Sequence, residues 1–407
     1  MDIRPILSTL RRHKTAAALI VLEIALSCAI ICNAVFLIAT RLERMDRPTG
    51  IADTELVRIN LSGIGRDENP TARVREDLAA LRALPGVTAA TSLNHVPFDN
   101  SSWNSSVSVS ADQPIPNLNS SVYLGENLVD TLGMRLVEGR DFTADEYVDW
   151  ETLGKPNSTL TIPAAIVTRT VARRLFPDGS AVGKLIYSWN RDDIPHRIVG
   201  VVEDVIRPND NGGPAESHYS MLLPVSGVTM GRFAIRTDPA RRDEVLKAAV
   251  AALERVSARR VILDQAPFTD LVDRHYRQDR SMAWLLVAVC VGLLVVTALG
   301  IVGLASFWVQ QRTKQIGIRR ALGATRRQIL RYFQTENLLL ATIGIVLGML
   351  GAYGLNQLLM GQYELPRLPA LYLPIGAVAL WLLGQLAVLG PAMRAAAVPP
   401  AVATRTV

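Results

Sequence analysis

Hydrophobic and polar positions divide the chain into four long apolar runs and one long mixed stretch. The runs cover approximately residues 15–40, 282–309, 337–359 and 371–391. Each is long enough for the ~20 helical residues that a bilayer core requires. The mixed stretch, residues 45–280, lies between the first two runs and alternates in the way a folded polar domain does. The pattern predicts four transmembrane helices and one large domain outside the membrane.

The mixed stretch contains two segments, one near each end, whose patterns predict a strand, a helix and a second strand. The first set, ELVRINLSG, PTARVREDLAALRAL and GVTAATSL, falls in residues 48–115, and the second falls in residues 229–266. Two such units predict one split α+β subdomain of ferredoxin-like type. Residues 116–228 are richer in short strands and turns and predict an insertion, and NHVPFDNSSWNSSVSVS before them predicts a loop and an edge strand. Residues 264–281 predict a polar helical stalk that continues into the second apolar run.

The net charge of +6 is unevenly distributed. Residues 45–280 carry 27 Lys/Arg against 32 Asp/Glu, whereas the rest of the chain carries 16 against 5. Residues 310–331, QQRTKQIGIRRALGATRRQILR, hold seven basic residues and no acid. Basic flanks indicate cytoplasmic loops, so the pattern predicts both termini and the segment 310–334 inside and the large domain outside. It disfavours nucleic acid as a partner.

The first 14 residues, MDIRPILSTLRRHK, predict an amphipathic helix on the cytoplasmic leaflet before the first span. A signal peptide is the competing interpretation. The following run is too long for one and has no small-residue cleavage site, so a retained anchor is favoured. The last stretch, residues 392–407, is predicted as a cytoplasmic tail.

Residues that would carry catalysis or metal binding are not legible in the sequence. GSAVGKL at residues 179–185 has the wrong spacing for a phosphate loop and no Ser/Thr after its lysine. The five histidines are scattered, and Cys28, Cys32 and Cys290 all lie in apolar runs. The sequence therefore predicts no catalytic residue, no metal site, no disulfide and no cofactor bound by the chain itself.

Two features inside the apolar runs carry separate hypotheses. Glu23 is a carboxylate within the first span, which makes it a functional candidate; the alternative is a protonated or hydrogen-bonded side chain at a helix interface. Gly344 and Gly348 are four residues apart in the third span, where small residues predict close helix packing.

Several motifs together resemble a known family. YLGENLVDTLGMRLVEGRDFTADE, IPAAIVTRTVARRLFPDGSAVGKLI and HRIVGVVEDV resemble the periplasmic core domain of MacB-like ABC permeases. QQRTKQIGIRRALGATRRQIL and the closing GPAMRAAAVPPAVATR are similar to the FtsX-like permease domain of the same superfamily. The resemblance covers nearly the whole chain. It identifies the 48–115/229–266 and 116–228 parts with the family's porter and Sabre subdomains.

The resemblance implies a permease subunit of a type VII ABC transporter in a bacterial inner membrane. Two permeases, identical or not, would each bind a cytoplasmic ATPase on a separate chain, which holds ATP and Mg²⁺. The conformational change of the ATPase would reach the periplasmic domain by mechanotransmission. It would expel an amphipathic peptide, antibiotic or siderophore through an adaptor and an outer-membrane channel. By position, the ATPase-coupling residues are Arg312, Lys314, Gln315, Ile316, Gly317, Arg319, Ala321, Leu322, Gly323, Ala324 and Arg326.

Alternatives to this interpretation remain. The basic segment could anchor to anionic lipid instead of an ATPase, although Ile316, Ala321 and Leu322 supply apolar points for docking. The chain departs from the family at Gln315, where glutamate is usual, and at Pro399–Pro400, where Asp-Pro is usual. An FtsX-like or peptide-sensing signal transducer, a lipoprotein-extraction permease and a membrane-anchored enzyme are the rival functions.

Overall fold

The computed structural model describes residues 14–64, 69–101, 103–153, 161–188, 195–210, 218–363 and 367–397. The predicted N-terminal amphipathic helix and the end of the predicted tail lie outside these ranges. The chain divides into a helical unit, residues 1–45 and 278–407, and a strand-rich unit, residues 46–277. Among the described residues, four helices of the helical unit are long and apolar enough to cross a membrane.

The helices and strands of the described ranges follow one another along the chain in this way. The helices are α1 Lys14–Met45, α2 Pro70–Arg82, α3 Leu128–Leu132, α4 Trp150–Leu153, α5 Arg169–Leu175, α6 Arg242–Val256, α7 Phe268–His275, α8 Arg277–Gln311, α9 Thr313–Ala321, α10 Arg326–Tyr363 and α11 Tyr372–Ala397. The strands are β1 Leu56–Gly63, β2 Val87–Ser92, β3 Asn104–Ser108, β4 Leu118–Gly125, β5 Leu136–Gly139, β6 Val148–Asp149, β7 Ala164–Thr168, β8 Leu185–Ser188, β9 Pro195–Val202, β10 Ser220–Ser226, β11 Arg232–Thr237 and β12 Arg260–Pro267.

A four-stranded antiparallel sheet forms the first part of the strand-rich unit. Its order is β12-β1-β11-β2, so the two strand–helix–strand sets interleave as in a ferredoxin-like fold. Helices α2 and α6 contribute apolar residues to one core with the sheet, in which Leu78, Leu81, Phe233 and Leu253 are fully buried. Asn69 begins α2 by accepting a hydrogen bond from the amide of Ala72, with Pro70 at the first helical position. The predicted split α+β subdomain is thus confirmed.

The second part is a closed ring of six strands. Its neighbours run β4-β3-β8-β9-β7-β10, and β10 returns to pair with β4 in parallel. The short strands β5 and β6 attach to β9 and β10. The alternating inward residues of the ring form a separate core that includes Val122, Val167, Ile198 and Leu223. Two cores stabilise the unit, and each belongs to one sheet.

Two predicted borders in this unit are wrong. Strand β3 pairs with both β4 and β8, so the inserted ring has already begun by residue 104, earlier than the predicted residue 116. The Asn/Ser-rich sequence of β3 hid an interior strand, because the hydroxyl of its buried Ser105 donates a hydrogen bond to the backbone carbonyl of Ser106. Residues 264–267 are the end of β12 and not part of a helical stalk, and Tyr276 interrupts the helix between α7 and α8.

The helical unit has α1 at its centre, packed on α10 and α11. Small residues of α10 allow the contact: a Cβ added at Gly344 would lie 2.9 Å from the Cβ of Ile24. One added at Gly348 would lie 2.6 Å from the backbone oxygen of Ala25. A hydrogen bond of 2.8 Å joins the hydroxyls of Ser27 in α1 and Thr297 in α8. Backbones approach closely where side chains are absent, which is how helices associate in lipid.

The strand-rich unit is expected to lose stability in mild acid because of His95. This side chain is fully buried, edge-to-face on Tyr123 with ring centroids 4.8 Å apart. Burial, helped by the charge of Arg232, lowers the pKa of His95 to about 3. An unfolded histidine has a pKa of about 6.5, so below that pH the unfolded state binds a proton that the native state refuses. The free energy of unfolding that the buried, neutral His95 contributes is fully present above about pH 6.5. It falls by about 1.4 kcal/mol per pH unit below that pH.

Hydrogen exchange of the β4 peptide between pH 7.5 and 5 measures this loss in the wild type and in His95→Phe. We expect the free energy of opening to fall more steeply in the wild type. His196, whose pKa burial also lowers, is present in both proteins, so the difference isolates His95. Parallel curves would show that His95 does not titrate with unfolding.

Candidate functional site

The basic segment forms a helical elbow, which we define as residues 312–331: Arg312, α9, the turn after it and the first turns of α10. Gly323 follows α9 in the left-handed conformation, with φ 95°. Its amide donates a hydrogen bond to the carbonyl of Arg320, and the amide of Ala324 donates one to the carbonyl of Arg319. Thr325 and Gln328 then start α10 by exchanging hydrogen bonds of 2.9 and 3.3 Å between amides and side chains. Both sides of the turn are therefore capped by the local sequence.

An apolar cluster fixes the underside of the elbow to the rest of the helical unit. Ile316 of α9 packs with Val309 of α8 and with Ile329 and Phe333 of α10. Three alanines at the end of α11 complete this cluster: Ala392, Ala395 and Ala396. Since all of these are buried, α9 cannot lift from α10 without exposing an apolar surface to water.

A buried ion pair joins Arg312, the first residue of the elbow, to Glu336 of α10. Nη1 of Arg312 donates to both carboxylate oxygens of Glu336, at 3.1 and 2.9 Å. Arg312 is 8% exposed and Glu336 is 1% exposed. The guanidinium also lies over the ring of Trp308, 5.5 Å from its centroid. This arrangement ties the end of α8 to α10, and its removal on one side would leave a charge in a desolvated place.

The predicted coupling residues separate into an inner and an outer set. Arg312, Ile316 and Gly317 are buried, whereas Lys314, Gln315, Arg319, Ala321, Leu322, Gly323 and Arg326 are exposed and Ala324 is half-buried. The sequence predicted Ile316 as an exposed apolar docking point. This prediction is wrong, because the side chain of Ile316 faces the apolar cluster. The exposed apolar residues are Leu322, at 84%, and Ile318, at 46%. Arg319 lies over the ring of Tyr332, 5.1 Å from its centroid.

The sequence reasoning did not single out three residues of the candidate site. Glu336 is the first acid after seven basic residues and stands at the entrance of the third apolar run, which was the available signal. Trp308 lies one helical turn before Arg312, and in the sequence nothing distinguishes it from the other residues of the second apolar run. Ile318 was overlooked because the positional correspondence with the family took Ile316 instead.

The two remaining predicted features lie in the spans. The carboxylate of Glu23 lies between α1 and α8, in direct contact with the place that a side chain at Gly300 would occupy. Gly344 and Gly348 face α1. Within the described ranges, no group of three or more His, Cys, Asp or Glu side chains is placed to hold a metal ion. The described side chains thus offer contacts between helices and an exposed elbow.

Four bilayer-length helices, a two-part strand-rich unit and a basic elbow define a membrane protein with a large domain outside the membrane. The family model for the MacB-like periplasmic core domain matches residues 17–254, and that for the FtsX-like permease C-terminal matches residues 287–400. The chain belongs to the family of MacB-like ABC transporter permeases. The resemblance drawn from the motifs is confirmed.

Relatives of the chain include transporters from several bacteria. It is 26% identical over 268 residues to an uncharacterized ABC transporter permease, YvrN, of Bacillus subtilis, covering 62% of this chain and 61% of that protein. It is 27% identical over 251 residues to the macrolide export ATP-binding/permease protein MacB of Chromobacterium violaceum, covering 59% and 36%. The pyoverdine export ATP-binding/permease protein PvdT of Pseudomonas entomophila is 28% identical over 195 residues, covering 46% and 29%. The alignments thus span between 29% and 61% of these relatives.

Among solved structures, the extracellular domain of the transporter YknZ aligns with 51% of this chain and 100% of that domain. The identity is 16% and the TM-score 0.30. The periplasmic region of MacB from Actinobacillus actinomycetemcomitans aligns with 54% of this chain and 94% of that region, with 14% identity and a TM-score of 0.31.

Proposed function

We propose that the chain is the permease subunit of a MacB-like ABC efflux system, driven by the ATP hydrolysis of a partner ATPase. The partner holds ATP and Mg²⁺, and this chain has no catalytic residue of its own. The chain lies in a bacterial inner membrane with its termini and the elbow in the cytoplasm and the strand-rich unit in the periplasm. The excess of Lys/Arg in the elbow supports this orientation, because short basic loops stay on the cytoplasmic side.

The exposed end of the elbow is the observation that carries the proposal. Leu322 stands at the C-terminal end of α9, 84% exposed, with Ile318 one turn before it. Exposed basic residues surround them, among them Lys314 and Arg326. A short helix with apolar points and a charged rim is a form that fits into a groove on a partner protein. The ATPase docks on this surface.

The stroke of the ATPase passes from the elbow into α8. This helix has 35 residues, Arg277–Gln311, and is therefore about 50 Å long. The capped turn, the apolar cluster and the Arg312–Glu336 pair prevent the elbow from moving independently of α8. Motion at the cytoplasmic end consequently reaches the chain that leads to the strand-rich unit, which is the mechanotransmission expected of this family.

The substrate class is an amphipathic peptide, antibiotic or siderophore. The proposal draws support from relatives named for macrolide and pyoverdine export. A second permease and, in a tripartite assembly, an adaptor and an outer-membrane channel are the further partners. Normal ATPase coupling without efflux of any such compound would instead favour the signal-transducer function.

Leu322→Asp is expected to weaken ATPase binding by about 30-fold, since a central apolar contact contributes about 2 kcal/mol or more. The measurement uses the ABC ATPase that co-purifies with the tagged chain, its dissociation constant and its hydrolysis rate with and without the permease. Leu263→Asp is the matched control, because Leu263 is also an exposed leucine, at 66%, but lies in β12. Equal binding by Leu322→Asp and the wild type would remove the elbow from the interface.

A further inference from the structure

The elbow forms an open cavity between α9 and α10 that ATPase docking does not explain. Its volume is about 440 Å³, within the roughly 300–1,000 Å³ of small-molecule sites. Among the described residues that line it, none is acidic. Three arginines, two glutamines and a tyrosine supply its polar lining: Arg312, Arg319, Arg331, Gln315, Gln328 and Tyr332. The cavity is therefore suited to an anion.

The positive charge of the lining is largely uncompensated. Arg312 is neutralised by Glu336, which lies behind it. Arg319 and Arg331 have no acidic partner among the residues that the structure describes, and Arg319 is held in place by the ring of Tyr332. Two guanidinium groups, each with several N–H donors in a plane, thus face one space. Such groups match phosphate oxygens in geometry and charge.

The position of the cavity selects the source of the phosphate. It begins one residue after α8 ends, so it lies at the level where a spanning helix leaves the bilayer. Tyr332 of the lining is half-buried at this level, as aromatic residues are at the headgroup region. Ile316, Ile329 and Phe333 add an apolar wall, which a free phosphate ion would not use but a glycerol backbone would. Basic pockets beside transmembrane helices bind anionic headgroups.

We propose that this cavity binds the phosphate-bearing headgroup of an anionic phospholipid. The lipid phosphate joins Arg319 of α9 to Arg331 of α10 and so braces the elbow from the membrane side. The exposed residues Leu322 and Ile318 stay free for the ATPase. The inference requires only that the four apolar helices span a bilayer, and it is independent of which ATPase binds and of what is exported.

The test measures binding of short-chain phosphatidylglycerol to the full chain in neutral micelles by titration calorimetry, with phosphatidylcholine of the same chain length as the neutral lipid. Each arginine near an anionic headgroup contributes about fivefold in affinity, so Arg319→Gln/Arg331→Gln is expected to bind about 25-fold more weakly. The control Arg320→Gln/Arg327→Gln removes the same charge from the same two helices outside the cavity. It is expected to stay within about twofold of the wild type, because long-range attraction is screened by salt.

Four outcomes would overturn the proposal. Equal binding of phosphatidylcholine would remove the role of charge, and an equal loss in the control variant would reduce the effect to general attraction. Competition by sodium phosphate at millimolar concentration would assign the site to the free ion. Tighter binding of a hexaglutamate peptide would assign the cavity to an acidic protein partner. None of these results bears on the Leu322→Asp measurement, so the two proposals fail separately.

Discussion

Glu336→Leu is expected to lower the free energy of unfolding of the helical unit by about 3–5 kcal/mol, because it leaves the charge of Arg312 buried and unpaired. The geometry makes this effect large. Arg312 is 8% exposed, and its Nη1 reaches both oxygens of Glu336. Its Nη2 is buried without a hydrogen-bond partner among the described residues, so no other acceptor is in place to take over.

The double variant Arg312→Met/Glu336→Leu separates the energy of the interaction between the two side chains from the individual contribution of each. Replacing both charges by apolar side chains of similar volume is often neutral or stabilising, so we expect the double variant to recover most of the lost stability. Thermal unfolding in micelles of the wild type, the two single variants and the double variant closes the cycle. Additive losses in the double variant would mean that the two side chains act independently and that the pair does not brace the elbow.

Gly348→Leu is expected to separate α10 from α1 and to destabilise the helical unit, at the upper end of the roughly 1–3 kcal/mol typical of overpacking. A Cβ at this position would lie 2.5 Å from the Cβ of Cys28 and 2.6 Å from the backbone oxygen of Ala25. Backbone atoms cannot rotate away from such a contact, so the helices must move apart.

Gly354→Leu in the same helix is the matched control. An added Cβ at Gly354 meets nothing within 4 Å, and leucine is a better helix former than glycine by somewhat under 1 kcal/mol. The same substitution is therefore expected to have opposite signs at the two positions. Unfolding of both variants in micelles gives the comparison, and a neutral Gly348→Leu would show that α1 and α10 tolerate a wider separation.

Features that depend on composition over many residues could be predicted from the sequence. The four spans follow from the sum of about 20 apolar side chains each, which no single residue can overturn. The two interleaved strand–helix–strand sets also followed, because alternation and helical periodicity are local signals. Strand β3 could not be predicted in the same way: the hydroxyl of its buried Ser105 is satisfied by a backbone carbonyl, which hydropathy does not record.

The face that each elbow residue presents depended on contacts far along the chain. Glu336 lies 24 residues after Arg312, and only the return of α10 beside α8 brings the two side chains together. Ile316 and Ile318 are both isoleucines in the same short helix, but the alanines of α11 cover only the first. A sequence pattern of nine residues cannot determine which face a later helix will cover.

The closed ring of the strand-rich unit limits how another protein can bind it. Each of its six strands is paired on both sides, and the described flanking strands β5 and β6 have only four and two residues. A partner cannot extend this ring by adding a strand of its own, so it has to recognise loops and side chains. The same closure limits aggregation, because the six strands of the ring offer other chains no open edge as a template.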